Sequence, residues 1–222
     1  MQKIKMKLVS IIDYGCGNIK SVFNAFSAIH EKNNLRIQIT SKENEIKNSS
    51  HIVLPGVGSY ESCVEGLKNS NLLGILSKKV LEDHLPFLGI CVGMQMLSSQ
   101  GFENGIFKGL NWIKGDVKRI KKSDNNLKIP HMGWNSISVK RETNFTKKLM
   151  NKIDLYKVNA YFVHSYNFLP ENNNYKIMTT NYEQEITAMV CKKNIIGTQF
   201  HPEKSHVFGL KFLETFLELE EF

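Results

Sequence analysis

The chain has 222 residues, and 41% of them are hydrophobic, enough to build one domain around a sizeable core without disulfide staples. No run of about 18 apolar residues occurs, and the basic N-terminal segment MQKIKMKLVSIIDYG carries only a strand-length apolar run, so neither a membrane span nor a secretory leader is expected. The net charge of +8 raises nucleic acid as a partner, but only Arg36, Arg119 and Arg141 are arginine. Base-reading surfaces lean on arginine forks, so scattered lysine reads as a solvated face, with no nucleic acid and no membrane partner. Cys16, Cys63, Cys91 and Cys191 are widely spaced with no C-x-x-C pair. That pattern disfavours a disulfide scaffold or a cysteine-rich zinc site and fits a reducing cytoplasm.

In chain order, Lys7–Ile12 predicts a strand ending at Asp13-Tyr14-Gly15. Asn18 or Ser21 then caps a helix in which Val22, Phe23, Ala25, Phe26 and Ile29 recur at helical spacing. Leu35–Thr40 predicts a strand, the polar stretch KENEIKNSS (42–50) a surface loop, and His51–Leu54 a strand stopping at Pro55-Gly56. Two helices follow, at Ser59–Leu67 and Leu72–Leu81. Pro86–Ile90 reads as a buried strand, leading into an apolar helix start at Val92–Leu97. Beyond it, closely spaced strand signals occupy Trp112–Lys121, Ile137–Val139, Tyr156–His164, Tyr175–Thr180, Ile186–Cys191 and Ile195–Gln199. The polar runs KKSDNN (121–126) and ENNN (171–174) read as turns, and 205–219 as a closing helix. The expected fold is α/β: a single domain over residues 1–222, with a mainly parallel central sheet, helices on both faces and an antiparallel extension at one side.

The sharpest chemical signal is Gly89-Ile90-Cys91-Val92-Gly93, a thiol in the G-x-C-x-G form of a nucleophile elbow between a buried strand and a helix. Its glycines allow a sharp turn, and the following helix start favours a thiolate and an adjacent oxyanion. Among seven histidines, His201 stands out at a strand end in Gln199-Phe200-His201-Pro202-Glu203-Lys204-Ser205. Glu203 lies two residues on, placed to orient the imidazole, so Cys91, His201 and Glu203 form a candidate catalytic triad. Pro55-Gly56-Val57-Gly58 is a candidate source of backbone donors for an oxyanion, against a plain turn. His131 and His164 are candidates for a pocket wall; His30, His51 and His84 read as surface or loop residues, and His206 as the first turn of the last helix. No His, Cys and acidic set has metal-ligand spacing, and neither G-x-G-x-x-G nor a P-loop is present, so no metal and no cofactor is expected.

Gly89-Ile90-Cys91-Val92-Gly93-Met94-Gln95 together with His201-Pro202-Glu203 resembles the class I (triad-type) glutamine amidotransferases. The segments 13–18, 54–58, 130–135, 161–166 and 199–205 are similar, in order along nearly the whole chain, to the glutaminase subunits of imidazole glycerol phosphate synthases. The resemblance implies that Cys91 attacks the glutamine amide, His201 moves the proton, Glu203 orients His201, and water hydrolyses a glutamyl thioester. It implies oxyanion donors at Val57, Gly58 and Val92, and glutamine contacts from Gln95, Ser165 and Tyr166. It further implies a heterodimer partner, a (β/α)₈-barrel cyclase, met by Asn18, Trp134 and Lys204 and receiving the ammonia to make imidazole glycerol phosphate and an aminoimidazole carboxamide ribotide in histidine biosynthesis. Val92 stands where leucine is commoner, and the acidic pair many members carry after the helix is missing from Ser98-Ser99-Gln100-Gly101. A paralogue amidating surface sugars shares these motifs. A cysteine peptidase and a catalytically silent binding partner fit them less well.

Overall fold

A computed structural model describes residues 6–30, 35–121 and 127–219. The first half alternates strand and helix: β1 (Lys7–Ile12), α1 (Ile19–Ser27), β2 (Leu35–Thr40), α2 (Glu43–Ile46), β3 (His51–Gly56), α3 (Tyr60–Asn69), α4 (Leu73–Ser77), β4 (Phe87–Cys91) and α5 (Val92–Gln95). A π-helical turn, Lys78–Glu82, extends α4. The second half is mostly strand: β5 (Gln100–Gly101), β6 (Phe107–Lys108), β7 (Gly115–Arg119), β8 (His131–Ser136), β9 (Ser138–Val139), α6 (Asn144–Met150), β10 (Asn159–His164), β11 (Tyr166–Pro170), β12 (Lys176–Asn181), β13 (Glu185–Lys192), β14 (Ile195–Thr198) and α7 (His206–Leu217).

Eight strands form the main sheet in the order β2-β1-β3-β4-β14-β13-β12-β9. The first five run parallel and the last three continue antiparallel, as the sequence predicts. The central parallel strands are apolar runs because both their faces are covered: every residue of β3 and β4 is buried. Asn18 accepts a hydrogen bond from the Ser21 amide at the start of α1, whose Val22, Ala25 and Phe26 pack inward. The stripe Phe208, Phe212, Leu213, Phe216 and Leu217 buries α7, and Phe212 meets Phe200 edge to face at 5.4 Å.

Several expectations need correction. The segments 112–121 and 156–164 do not extend the main sheet. The strand within the first, β7, joins β11, β5 and β6, while β10 pairs antiparallel with β8 in a separate ribbon. β8 escapes prediction because only His131 in it is buried and the rest, including Gly133 and Asn135, lack the β-branched enrichment of a strand. The helix α2 lies in the stretch expected as loop, carried by the single buried Ile46. α6 has only three buried residues and is secured by a capping box between Thr143 and Thr146. His51 is a core residue rather than a surface one. It sits in β3, its Nε2–H donates to the Leu219 carbonyl at 3.2 Å, and its ring meets the edge of Phe216. Most of the expected turn at 121–126 lies outside the described residues.

The register decides where chemistry can occur. Gly56 at the end of β3 pairs with Cys91 at the end of β4, and Thr198 at the end of β14 pairs with Ile90. Three adjacent carboxyl ends therefore deliver Val57–Gly58, Cys91–Val92 and Gln199–His201 to one rim of the sheet, where open α/β sheets hold their ligands.

Candidate active site

Cys91 is the last residue of β4 and precedes the first turn of α5. Its backbone takes φ 55° and ψ −109°, a strained combination for a side chain with a Cβ. The surrounding glycines allow the strain because the elbow packs backbone on backbone. A Cβ at Gly93 would sit 2.0 Å from the Leu54 carbonyl oxygen, and one at Gly89 would sit 2.6 Å from the Gly93 carbonyl oxygen. The elbow is thus pressed against the end of β3, and the Cys91 side chain borders a cavity of about 280 Å³.

His201, Val57, Gly58, Val92, Gln95, Ser165 and Tyr166 line the same cavity. Every residue expected to touch substrate or form the oxyanion site is therefore gathered around one thiol. His201 Nδ1 and Glu203 Oε1 are 2.7 Å apart, and both side chains are almost fully buried. A carboxylate accepts that hydrogen bond, so Nδ1 carries the proton and Nε2 is left to face the cavity. Nε2 is buried with no hydrogen-bond partner in the protein. Burial alone would lower the His201 pKa, but interactions with the Cys91 sulfur and the Glu203 carboxylate outweigh it and raise the value to about 10.

The other two histidines near the cavity are held neutral by a directed chain. The Tyr166 carbonyl can only accept, so His164 Nδ1, 2.8 Å away, carries a proton. His164 Nε2 must then accept from His131 Nδ1 at 3.0 Å, and His131 Nε2 accepts from the Asn135 amide at 3.2 Å. Burial lowers the pKa of His164 to about 3 and that of His131 to about 4. Neither has a free basic nitrogen facing the thiol, which leaves His201 as the available base. Of the two histidines expected at a pocket wall, His164 lines the cavity and His131 backs it.

Three further residues belong to the site although the sequence assigns none of them a role in it. Glu103 lines the cavity, and its Oε2 accepts from the Tyr60 amide at the start of α3, 2.6 Å away. Pro130, which follows a cis peptide bond, lines the wall. Gln199 is fully buried with its amide nitrogen 3.6 Å from Cys91 Sγ. Of the residues expected at a partner face, Lys204 lines the cavity mouth and its ammonium stands 5.5 Å over the Tyr161 ring. Trp134 is 47% exposed and stacks on His206 at 4.7 Å. Asn18, at the head of α1, is half-buried. Among the described residues, no cluster of His, Cys, Asp and Glu is arranged to hold a metal ion.

The glutamine amidotransferase class-I family model matches residues 10–218. The chain belongs to the class-I glutamine amidotransferase family. It is 44% identical over 95% of its length to the imidazole glycerol phosphate synthase subunit HisH of Pelagibacter ubique, covering 99% of that protein. It is 41% identical over 95% of its length to imidazole glycerol phosphate synthase subunit HisH 2 of Methanococcus maripaludis, again covering 99% of the relative. Among solved structures, one described as a glutamine amidotransferase superposes with a TM-score of 0.69 at 15% identity, over 94% of this chain and 98% of that one. A glutamine amidotransferase from Thermotoga maritima gives 0.68 at 16% identity, over 97% of this chain and 100% of that one. These superpositions establish that the amidotransferase chain has the class-I fold.

The buried histidines make a testable demand on this amidotransferase. Burial, with the charge of Lys7, lowers the His51 pKa to about 4, so His51, His131 and His164 all fold with values below the usual 6.5. The unfolded chain takes up those protons first. Their contribution is therefore complete above pH 6.5 and is lost as pH falls towards 4 and 3. For His51 the loss at pH 4 is about 3 kcal/mol. Urea titrations at pH 7, 5 and 4 are expected to give falling midpoints, with a shallower fall in His51→Gln. Parallel pH profiles for the two proteins would contradict the assignment.

Proposed function

We infer that this amidotransferase hydrolyses glutamine to glutamate and ammonia through Cys91, His201 and Glu203, and delivers the ammonia to a (β/α)₈-barrel synthase subunit. The observation that carries the reading is the unpaired His201 Nε2: its ring is fixed by Glu203 on one side and opens on the other into the cavity that holds the Cys91 thiol. That nitrogen holds the proton given up by the thiol while sulfur attacks the amide carbon. It then returns the proton to the departing nitrogen, so ammonia leaves and a glutamyl thioester remains. Water attacks the thioester with His201 again as base, releasing glutamate and restoring the thiol.

Charge develops on the amide oxygen in both steps. The backbone N–H groups of the Val57–Gly58 loop and of Val92 at the first turn of α5 are the donors we assign to it. Gln95, Ser165 and Tyr166 hold the glutamine. Glu103 adds a carboxylate to a cavity wall that must accommodate an amino acid's ammonium group. No cofactor is required, because every proton and electron pair in this sequence of steps is supplied by the thiol, the imidazole, water and substrate.

The relatives named as imidazole glycerol phosphate synthase subunits favour histidine biosynthesis over the amidation of surface sugars for this chain. We assign the barrel-facing surface to Asn18, Trp134 and Lys204, and residues 1–222 to one domain. The exposed indole of Trp134 and the lysine at the cavity mouth support that face, since a partner seated there would cap the opening. The four cysteines, all free, fit a reducing cytoplasm. The chain mixed with a barrel cyclase, glutamine and the phosphoribosyl-aminoimidazole-carboxamide intermediate is expected to form imidazole glycerol phosphate. Alone, it is expected to be a weak glutaminase. Full glutaminase activity without the cyclase, or no imidazole product with it, would overturn the assignment.

A further inference from the structure

The hydrogen-bond network behind the cavity fixes the orientation of a side chain that the steps above leave unused. Gln95 Nε2 lies 3.2 Å from the Tyr166 carbonyl oxygen, which can only accept, so Gln95 turns its NH₂ group that way. The same NH₂ lies 3.0 Å from the Gln199 side chain, which must therefore present its oxygen to Gln95. That leaves the Gln199 NH₂ pointing at Cys91 Sγ, 3.6 Å away. No rotation of the Gln199 amide keeps both contacts, so its donor is locked onto the sulfur by a backbone carbonyl two residues removed in the network. Gln199 is fully buried, so water does not compete for this contact.

We propose that Gln199 is a catalytic residue, its amide N–H holding the Cys91 sulfur in its ionised form and aimed along the cavity. A donor aimed at sulfur interacts more strongly with a thiolate than with a thiol, and burial strengthens that difference. In the thioester the sulfur carries no charge, so the donor favours the anion present before attack and again when thioester hydrolysis expels the sulfur. The proposal rests on Cys91 being the nucleophile.

The test measures alkylation of Cys91 by iodoacetamide across pH, resolved by mass spectrometry from Cys16, Cys63 and Cys191. Gln199→Met keeps the shape and loses the donor. Gln199→Glu keeps the shape and turns an acceptor towards sulfur. At pH 7 the first is expected to slow Cys91 alkylation about tenfold and the second more. Both are expected to regain the wild-type rate in strong alkali, and kcat for glutamine should fall in step with little change in KM. Gln199→Glu is read alone if Gln199→Met does not fold, and Gln95→Met, which frees the Gln199 amide to turn, should give a smaller slowing of the same kind. A pH–alkylation profile superimposable on wild type in any folded Gln199 variant overturns the proposal, as does a loss of rate equal at every pH. The readout uses no glutamine, so it fails separately from the nucleophile assignment, which Cys91→Ala tests.

Discussion

Cys91→Ala is expected to lower glutamine-dependent activity by roughly 10³-fold or more while leaving the fold intact. The thiol is the one nucleophile bordering the cavity whose neighbour is an unpaired imidazole nitrogen, and no other cysteine lines that cavity. Alanine at 91 keeps the Cβ that the strained backbone already accommodates, so the elbow should hold. A barrel cyclase mixed with the Cys91→Ala chain, if it is the partner, should still make imidazole product from ammonium salts, because only ammonia production is lost. Both activities should be assayed on one preparation. Normal glutamine hydrolysis by the variant would remove Cys91 from the mechanism. Equal loss of ammonia-dependent synthesis would mean that the substitution damages the assembly rather than the chemistry.

Glu203→Gln is expected to reduce kcat by about 10²–10⁴-fold with a small change in KM. The carboxylate does two things. It fixes which ring nitrogen of His201 carries the proton, and it is one of the two groups that hold the His201 pKa near 10 against burial. A glutamine amide can turn its NH₂ towards Nδ1, which would move the proton to Nε2 and leave no base facing the thiol. The same substitution has a signature in stability. A histidine whose pKa is raised on folding stabilises fully below pH 6.5 and loses that contribution as pH climbs through about 10. In Glu203→Gln the loss still starts near pH 6.5, but it should be smaller and complete at a lower pH. Thermal melts between pH 7 and 10.5 would reveal it, and identical alkaline limbs for the two proteins would show that Glu203 does not set the charge of His201.

The parts of the site readable from sequence were those whose chemistry is local. G-x-C-x-G announces a turn and a nucleophile within five residues, and His201-Pro202-Glu203 places a base and its orienter within three. The parallel strands were equally plain, since burial on both faces makes them short apolar runs such as Phe87–Cys91. What stayed hidden depends on register between distant strands. His131 meets His164 only because β8 pairs with β10 so that these two residues face each other. Gln199 reaches Cys91 only because β14 lies beside β4. Glu103 enters the cavity from a loop beyond two-residue strands that carry no pattern, and it is held there by the amide of Tyr60. His51 reads in the sequence as a surface or loop residue. Its partner, the Leu219 carbonyl, lies at the far end of the chain.

The chain from Asn135 through His131 and His164 to the Tyr166 carbonyl has a consequence for the product. Every hydrogen in it already points along one direction and ends on an oxygen that cannot pass one on. With both rings uncharged near neutrality, this side of the chamber is a poor acid. Newly released ammonia meeting this wall is offered no proton by it.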